Sequence, residues 1–108
     1  MTIESKPIKL ADIPDDIELF RGSRIRLIND GRNLHPDDKY FDYLLSLSPW
    51  DKDFMFLVNI TIDSHKAGAF YATKIPIDKS SNKIIVTKGD LKTALGEDFT
   101  NCYLISTA

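Results

Sequence analysis

The sequence predicts an α+β domain built on an antiparallel sheet, with a central hairpin and one or two short helices. Three observations carry that prediction. The run "FMFLVNITID" alternates with a period of two, the backbone repeat of a strand, in which successive side chains point to opposite faces. A second alternating run, "AFYATKIPI", resumes after "SHKAG", as expected for a hairpin with a loop longer than the tightest two-residue kind. A single segment, "VTKGDLKTALGEDF", has helix punctuation instead of strand alternation. With 108 residues, 43% of them hydrophobic and 28% charged, the chain is one ordinary globular domain. A chain of this length can bury about 60–70% of the surface its unfolded form exposes, so the core needs no disulfide or metal to support it.

The elements follow in order. Residues 1–18, punctuated by Pro7 and Pro14, read as an exposed arm or leading loop, with a brief helical turn in "ADIPDDIELF" as the alternative. Ile25 and Leu27 alternate with Arg24 and Arg26, which predicts a half-buried strand from Ser23 to Ile28. Gly22 marks a bulge or bend at its start. "NDGRNLHPDD" concentrates turn formers and is a loop. Residues 40–47 fit two patterns. Tyr40, Leu44 and Leu47 make a helical stripe, while Phe41, Tyr43, Leu45 and Leu47 alternate. The aromatic content and short length favour a strand.

In the central run, Phe54, Phe56, Val58, Ile60 and Ile62 form the side expected to be buried, opposite Asn59, Thr61 and Asp63. Tyr71, Thr73, Ile75 and Ile77 repeat the alternation, and Pro76, which has no N–H, belongs at a strand end or on an edge. Gly68 supplies the positive φ that the bend calls for. "DKSSNK" is a polar turn, and Ile84 to Val86 a short strand. Thr87 then caps a helix whose apolar contacts are Leu91 and Ala94 or Leu95, with Gly96 as its C-terminal stop. The tail "NCYLIST" reads as a last strand.

Charge and composition narrow the function classes. Fourteen basic and sixteen acidic residues give a net charge of −2, too balanced for the basic excess usual in nucleic-acid binding. No apolar run is long enough to span a bilayer, and the N-terminal stretch lacks the pattern of a secretory signal, so a cytoplasmic protein is expected. The lone Cys102 fits a reducing compartment and reads as a packing residue in an apolar run.

Catalysis finds little support in the residues. His65 and Lys66 in the hairpin loop have only His35 as a second histidine, and neither histidine stands at metal-ligand spacing. Ser64 beside His65 cannot imitate a triad, Ser23 in "RGSR" is not a nucleophile elbow, and the five glycines form no phosphate loop. The expectation is therefore of no catalytic residue, no cofactor and no metal. Arg21, Arg24, Arg26 and Arg32 form the one basic segment, read as a solvated strand face paired with aspartates. The alternative is a phage or mobile-element accessory protein that grips nucleic acid with them. Three acidic groups, Asp12, Asp15, Asp16 and Glu18, then Asp37 and Asp38, then Asp51 and Asp53, fall in predicted loops. They read as solvated charges or as a face that steers a basic partner. Trp50 and Phe54 stand beside the third group as aromatic anchors.

Two stretches carry a resemblance. "LFRGSRIRL" and "HKAGAFYATKIPID" resemble segments of a small bacterial immunity-protein family, in which "RGS" opens a strand and a K-A-G turn precedes another. "FDYLLSL" matches a strand of that pattern and "VTKGDLKTALGEDF" its helix, shortened and without the family's tryptophans. The resemblance implies a protein that binds and neutralises a cognate toxin domain inside the cell, without catalysis. Such proteins accompany polymorphic toxins, including those of contact-dependent growth inhibition, and nucleases are common among the toxins. On that reading the expected partner is a toxin domain, not nucleic acid or membrane. The expected contact residues are the acidic groups with Trp50 and Phe54.

Overall fold

The structure is a computed structural model and describes residues 7–62, 64–79 and 83–106. In chain order the strands are β1 (Ile8–Lys9), β2 (Leu19–Phe20), β3 (Arg24–Ile28), β4 (Tyr40–Leu47), β5 (Phe54–Asn59), β6 (Phe70–Pro76), β7 (Ile85–Val86) and β8 (Cys102–Ser106). Helix α1 (Lys88–Leu95) runs directly into a 3-10 segment, Gly96–Asn101, ahead of β8. Six strands make an antiparallel sheet in the order β1-β8-β3-β4-β5-β6, and β2 pairs with β7 in a separate ribbon. The fold is α+β, with β3 to β6 forming a meander at its centre.

Residues 40–47 are a strand, paired with β3 on one side and β5 on the other. Phe41, Tyr43 and Leu45 face the core, while Tyr40, Asp42 and Leu44 alternate to the other side. The helix stops are those expected. Thr87 Oγ1 accepts a hydrogen bond from Asp90 N at 3.1 Å, and Gly96 ends α1 with φ 58°. At the central hairpin, Asn59 N donates to Ala69 O at 2.9 Å and Gly68 N to Asn59 O at 2.7 Å, with Gly68 at φ 86°.

Two expectations are corrected. The buried face of β5 is Met55, Leu57 and Asn59, and Phe54 and Val58 are only partly covered. Residues directly opposite in a ladder share a face. Leu45 pairs with Leu57 and Tyr43 with Asn59, so the register places the odd-numbered residues inward. The run is apolar at both parities, and alternation alone could not choose between them. Phe56 is buried as well, though on the opposite face, and Ile62 lies beyond the strand, 88% exposed.

The second correction concerns the leading arm. Residues 7–18 are docked: β1 pairs with β8, and Leu10 and Ile13 enter the core. A 3-10 turn covers Leu10–Asp12, ahead of Pro14 and not starting at it. Lys88 Nζ ties the arm to the start of α1 by donating to Ala11 O at 3.0 Å and Ile13 O at 2.7 Å. Residues 1–6 of the arm, Asp63, the Thr73 side chain and residues 80–82 of the polar turn lie outside the described residues.

The core lies on one side of the sheet. Ile25, Leu27, Tyr43, Leu45, Met55, Leu57, Ile75 and Leu104 meet Leu91 and Leu95 of α1, Phe99, and Leu10 and Ile13 of the arm. Leu57→Ala is therefore expected to lower stability by about 2–5 kcal/mol. Ile62→Ala should change it by no more than about 0.5 kcal/mol. A Cβ at position 68 would meet nothing within 4 Å, so Gly68→Ala should cost only the left-handed backbone penalty, about 1–2 kcal/mol. Urea denaturation midpoints of the three variants measure all three effects.

Candidate functional site

The acidic groups singled out in the sequence do not converge. Asp37 and Asp38 sit in the β3–β4 loop and Asp51 and Asp53 in the β4–β5 loop. These loops are at opposite ends of β4, whose eight residues span about 26 Å. Asp12, Asp15, Asp16 and Glu18 belong to the arm near α1. Several have partners: Asp15 with Lys88 at 3.3 Å, Glu18 with Lys83 at 3.0 Å and Asp53 with Lys79 at 3.0 Å. Asp37 lies 3.5 Å from His35 Nδ1. Asp51 has no ion-pair partner among the described residues.

Trp50 is brought into a different constellation. Ser48 Oγ accepts from both Trp50 N and Asp51 N at 3.2 Å, and Asp51 Oδ1 accepts from Asp53 N at 3.0 Å. This chain of side-chain to backbone bonds shapes the β4–β5 loop and presents the indole over the sheet face that α1 leaves open. There the Trp50 ring centroid lies 5.1 Å from Phe70 and 5.9 Å from Phe56, and Phe56 and Phe70 are 4.9 Å apart. The contacts are tilted or edge-on, the arrangements aromatic quadrupoles favour. Trp50 is 65% exposed and Phe70 51%, whereas Phe56 is buried beneath them. Phe54, the anchor expected from sequence, is half-buried opposite Pro76 and is not part of this trio. Sequence reasoning missed Phe56 and Phe70 as surface formers because it placed Phe56 in the core. The available signal was the excess of apolar residues at both parities of β5.

The open face continues along one ladder row, from Arg24 through Leu44 and Val58 to Phe70. In the next row Arg26 makes a two-pronged pair with Asp42, Nε to Oδ1 at 2.7 Å and Nη2 to Oδ2 at 3.0 Å, and its guanidinium lies 4.1 Å from the Tyr40 ring centroid. The arginine reading as a strand face paired with an aspartate holds for Arg26. Arg21, Arg24 and Arg32 are exposed.

On the covered side, the Tyr71 hydroxyl donates to Asp98 Oδ2, and Cys102 Sγ donates to Asp98 O at 3.2 Å. Burial, with the Asp98 charge second, pushes the Tyr43 hydroxyl up to about 12 and the Cys102 thiol up to about 12. Burial and the bond to Asp98 hold the Tyr71 hydroxyl well above its ordinary range. His35 and His65 are both exposed, in the β3–β4 and β5–β6 loops. Among the described residues no three His, Cys, Asp or Glu side chains gather as a metal site, and no helix is long and apolar enough to cross a membrane.

Comparison with protein-family models, with curated proteins and with solved structures finds no match for this chain.

The raised groups make stability sensitive to alkali. A proton held more tightly in the folded chain stabilises it below the unfolded pKa, and that contribution disappears as pH rises through the folded pKa. For Cys102 the window runs from 9.0 to about 12, and for Tyr43 from 10.0 to about 12. Melting temperature should therefore fall across that window, less steeply in Cys102→Ala than in the unsubstituted chain. At pH 8 a thiol reagent such as DTNB should label Cys102 only as fast as the chain unfolds.

Proposed function

We propose that this protein is a binding module of the immunity type, which neutralises a toxin domain by covering it with the open face of its sheet. The observation that carries the reading is the exposed aromatic pair Trp50 and Phe70, seated on buried Phe56. Large rings held rigidly at a surface lose little conformational freedom on association and recur as binding hot spots. The "RGS" and K-A-G stretches support the immunity assignment by resemblance; they begin strand β3 and form the β5–β6 bend.

The partner on this reading carries an apolar hollow for Trp50 and a cation opposite Asp51, the acid next to it in the loop. The remaining acidic residues act at longer range, through a surface whose net charge is −2. Nucleic-acid binding through Arg21, Arg24, Arg26 and Arg32 draws less support. Asp42 already holds Arg26 on both prongs.

The test is direct association with the protein encoded immediately upstream, measured by calorimetry. A stable complex is expected, and Trp50→Ala should weaken it by at least about 30-fold, the scale of a hot-spot truncation. Because Trp50 is mostly exposed, its replacement should cost stability only through its ring contacts with Phe56 and Phe70, about 0.5–1.5 kcal/mol each, and leave the chain folded. Asp51→Asn should slow association and flatten its salt dependence. Absence of association at micromolar concentration would remove the assignment.

A further inference from the structure

Tyr43 and Asn59 stand directly opposite each other across the β4–β5 ladder, on the covered side of the sheet. Their side chains are among the most enclosed polar groups of the fold, with Tyr43 5% exposed and Asn59 3%. Asn59 Oδ1 accepts from Thr61 N at 2.9 Å. Its amide Nδ2, and the Tyr43 hydroxyl, have no hydrogen-bond partner among the described residues, yet neither atom is sealed from solvent. Both atoms reach solvent and are free to donate to a molecule that enters from outside.

Both residues line one cleft of about 250 Å³. Leu34 and Phe41 contribute apolar walls, Tyr71 an aromatic one, and Lys66 brings an exposed ammonium from the hairpin loop. The donors are two neutral groups and one cation. The Tyr43 hydroxyl, like any tyrosine's, is protonated at neutral pH and able to donate. Asp98, the carboxylate that bears on Tyr43, is engaged by the Tyr71 hydroxyl and is not part of the cleft lining.

We propose that this cleft is a binding site for a small organic carboxylate with one apolar ring or branched body, its oxygens accepting from Asn59 Nδ2 and Tyr43 Oη and its charge facing Lys66. The volume lies below the range of about 300–1,000 Å³ common for drug-sized ligands, which limits the body to about one ring. So few contacts imply weak binding, with a Kd on the order of 0.1–1 mM. The site is separate from the Trp50 surface in its donors and needs no macromolecular partner.

The experiment uses the full chain labelled with 15N and two probes, phenylacetate and its neutral counterpart phenylacetamide, followed by heteronuclear NMR. Phenylacetate is expected to give saturable shifts at the Asn59 side-chain NH2 and the Ala69 amide, and to bind about tenfold tighter than phenylacetamide, as a charge-assisted contact requires. Lys66→Ala, at an exposed position, should weaken phenylacetate about two- to fivefold. Tyr43→Phe, which keeps the ring and its packing, should weaken it to a similar extent. The proposal is overturned by the absence of saturable shifts up to about 10 mM phenylacetate. Equal binding of acid and amide, saturable shifts away from the cleft, or phenylacetate affinity unchanged in Lys66→Ala would overturn it as well.

Discussion

A sheet whose helical layer covers only one face must bring most of its buried side chains to that face, and the rest of this structure depends on that constraint. Helix α1, the following 3-10 segment and the docked arm all pack on one side, where Leu91, Leu95, Phe99, Leu10 and Ile13 meet the sheet. Because the side-chain period along a strand is two, a shift of one residue in β5 would exchange its faces completely. The ladder with β4 leaves no such latitude: Leu45 opposite Leu57 and Tyr43 opposite Asn59 assign the covered side residue by residue. The same register that buries Leu57 also buries Asn59, a polar side chain that a purely apolar pattern would have turned outward.

The consequence on the other face is an apolar surplus with nothing of the α1 layer above it. Phe56 and Phe70 are resolved there by each other and by Trp50, which reaches over from the β4–β5 loop. Towards the β3 side the face changes character. Arg26 is pinned to Asp42 and stacked on Tyr40, which lets a strand interior carry charge without leaving it unpaired. The open face is thus apolar and aromatic at one side and charged but internally neutralised in its middle. That division makes Trp50 and Phe70 the natural anchors of an interface and leaves Arg26 a structural part of the sheet.

The devices that depend on a few neighbouring residues were legible in the sequence. Thr87 as the helix cap, Gly96 as its stop and Gly68 as the bend with positive φ each act through their own backbone or the next turn, and each stands where local chemistry places it. The strand over residues 40–47 was legible only in part, since a helical stripe competed with the alternation and aromatic content tipped the balance. The parity of β5 was not, because Phe54, Phe56 and Val58 compete with Met55 and Leu57 on nearly equal apolar terms. The docked arm was hidden for a related reason: Leu10 and Ile13 are single apolar residues among acids and prolines, and only packing against β8 and the 3-10 segment Gly96–Asn101 gives them a place.

The sequence by itself determined the α+β class, the central hairpin, a capped helix and the turns between them, because period, capping and glycine conformation are properties of short segments. Tertiary structure alone decided which face of β5 is buried, which aromatic rings Trp50 joins, and that Tyr43 and Asn59 share a cleft with Lys66. Those outcomes rest on the register between strands and on which side the helical layer packs. Both are set by contacts between residues distant in the chain, and no local pattern encodes them.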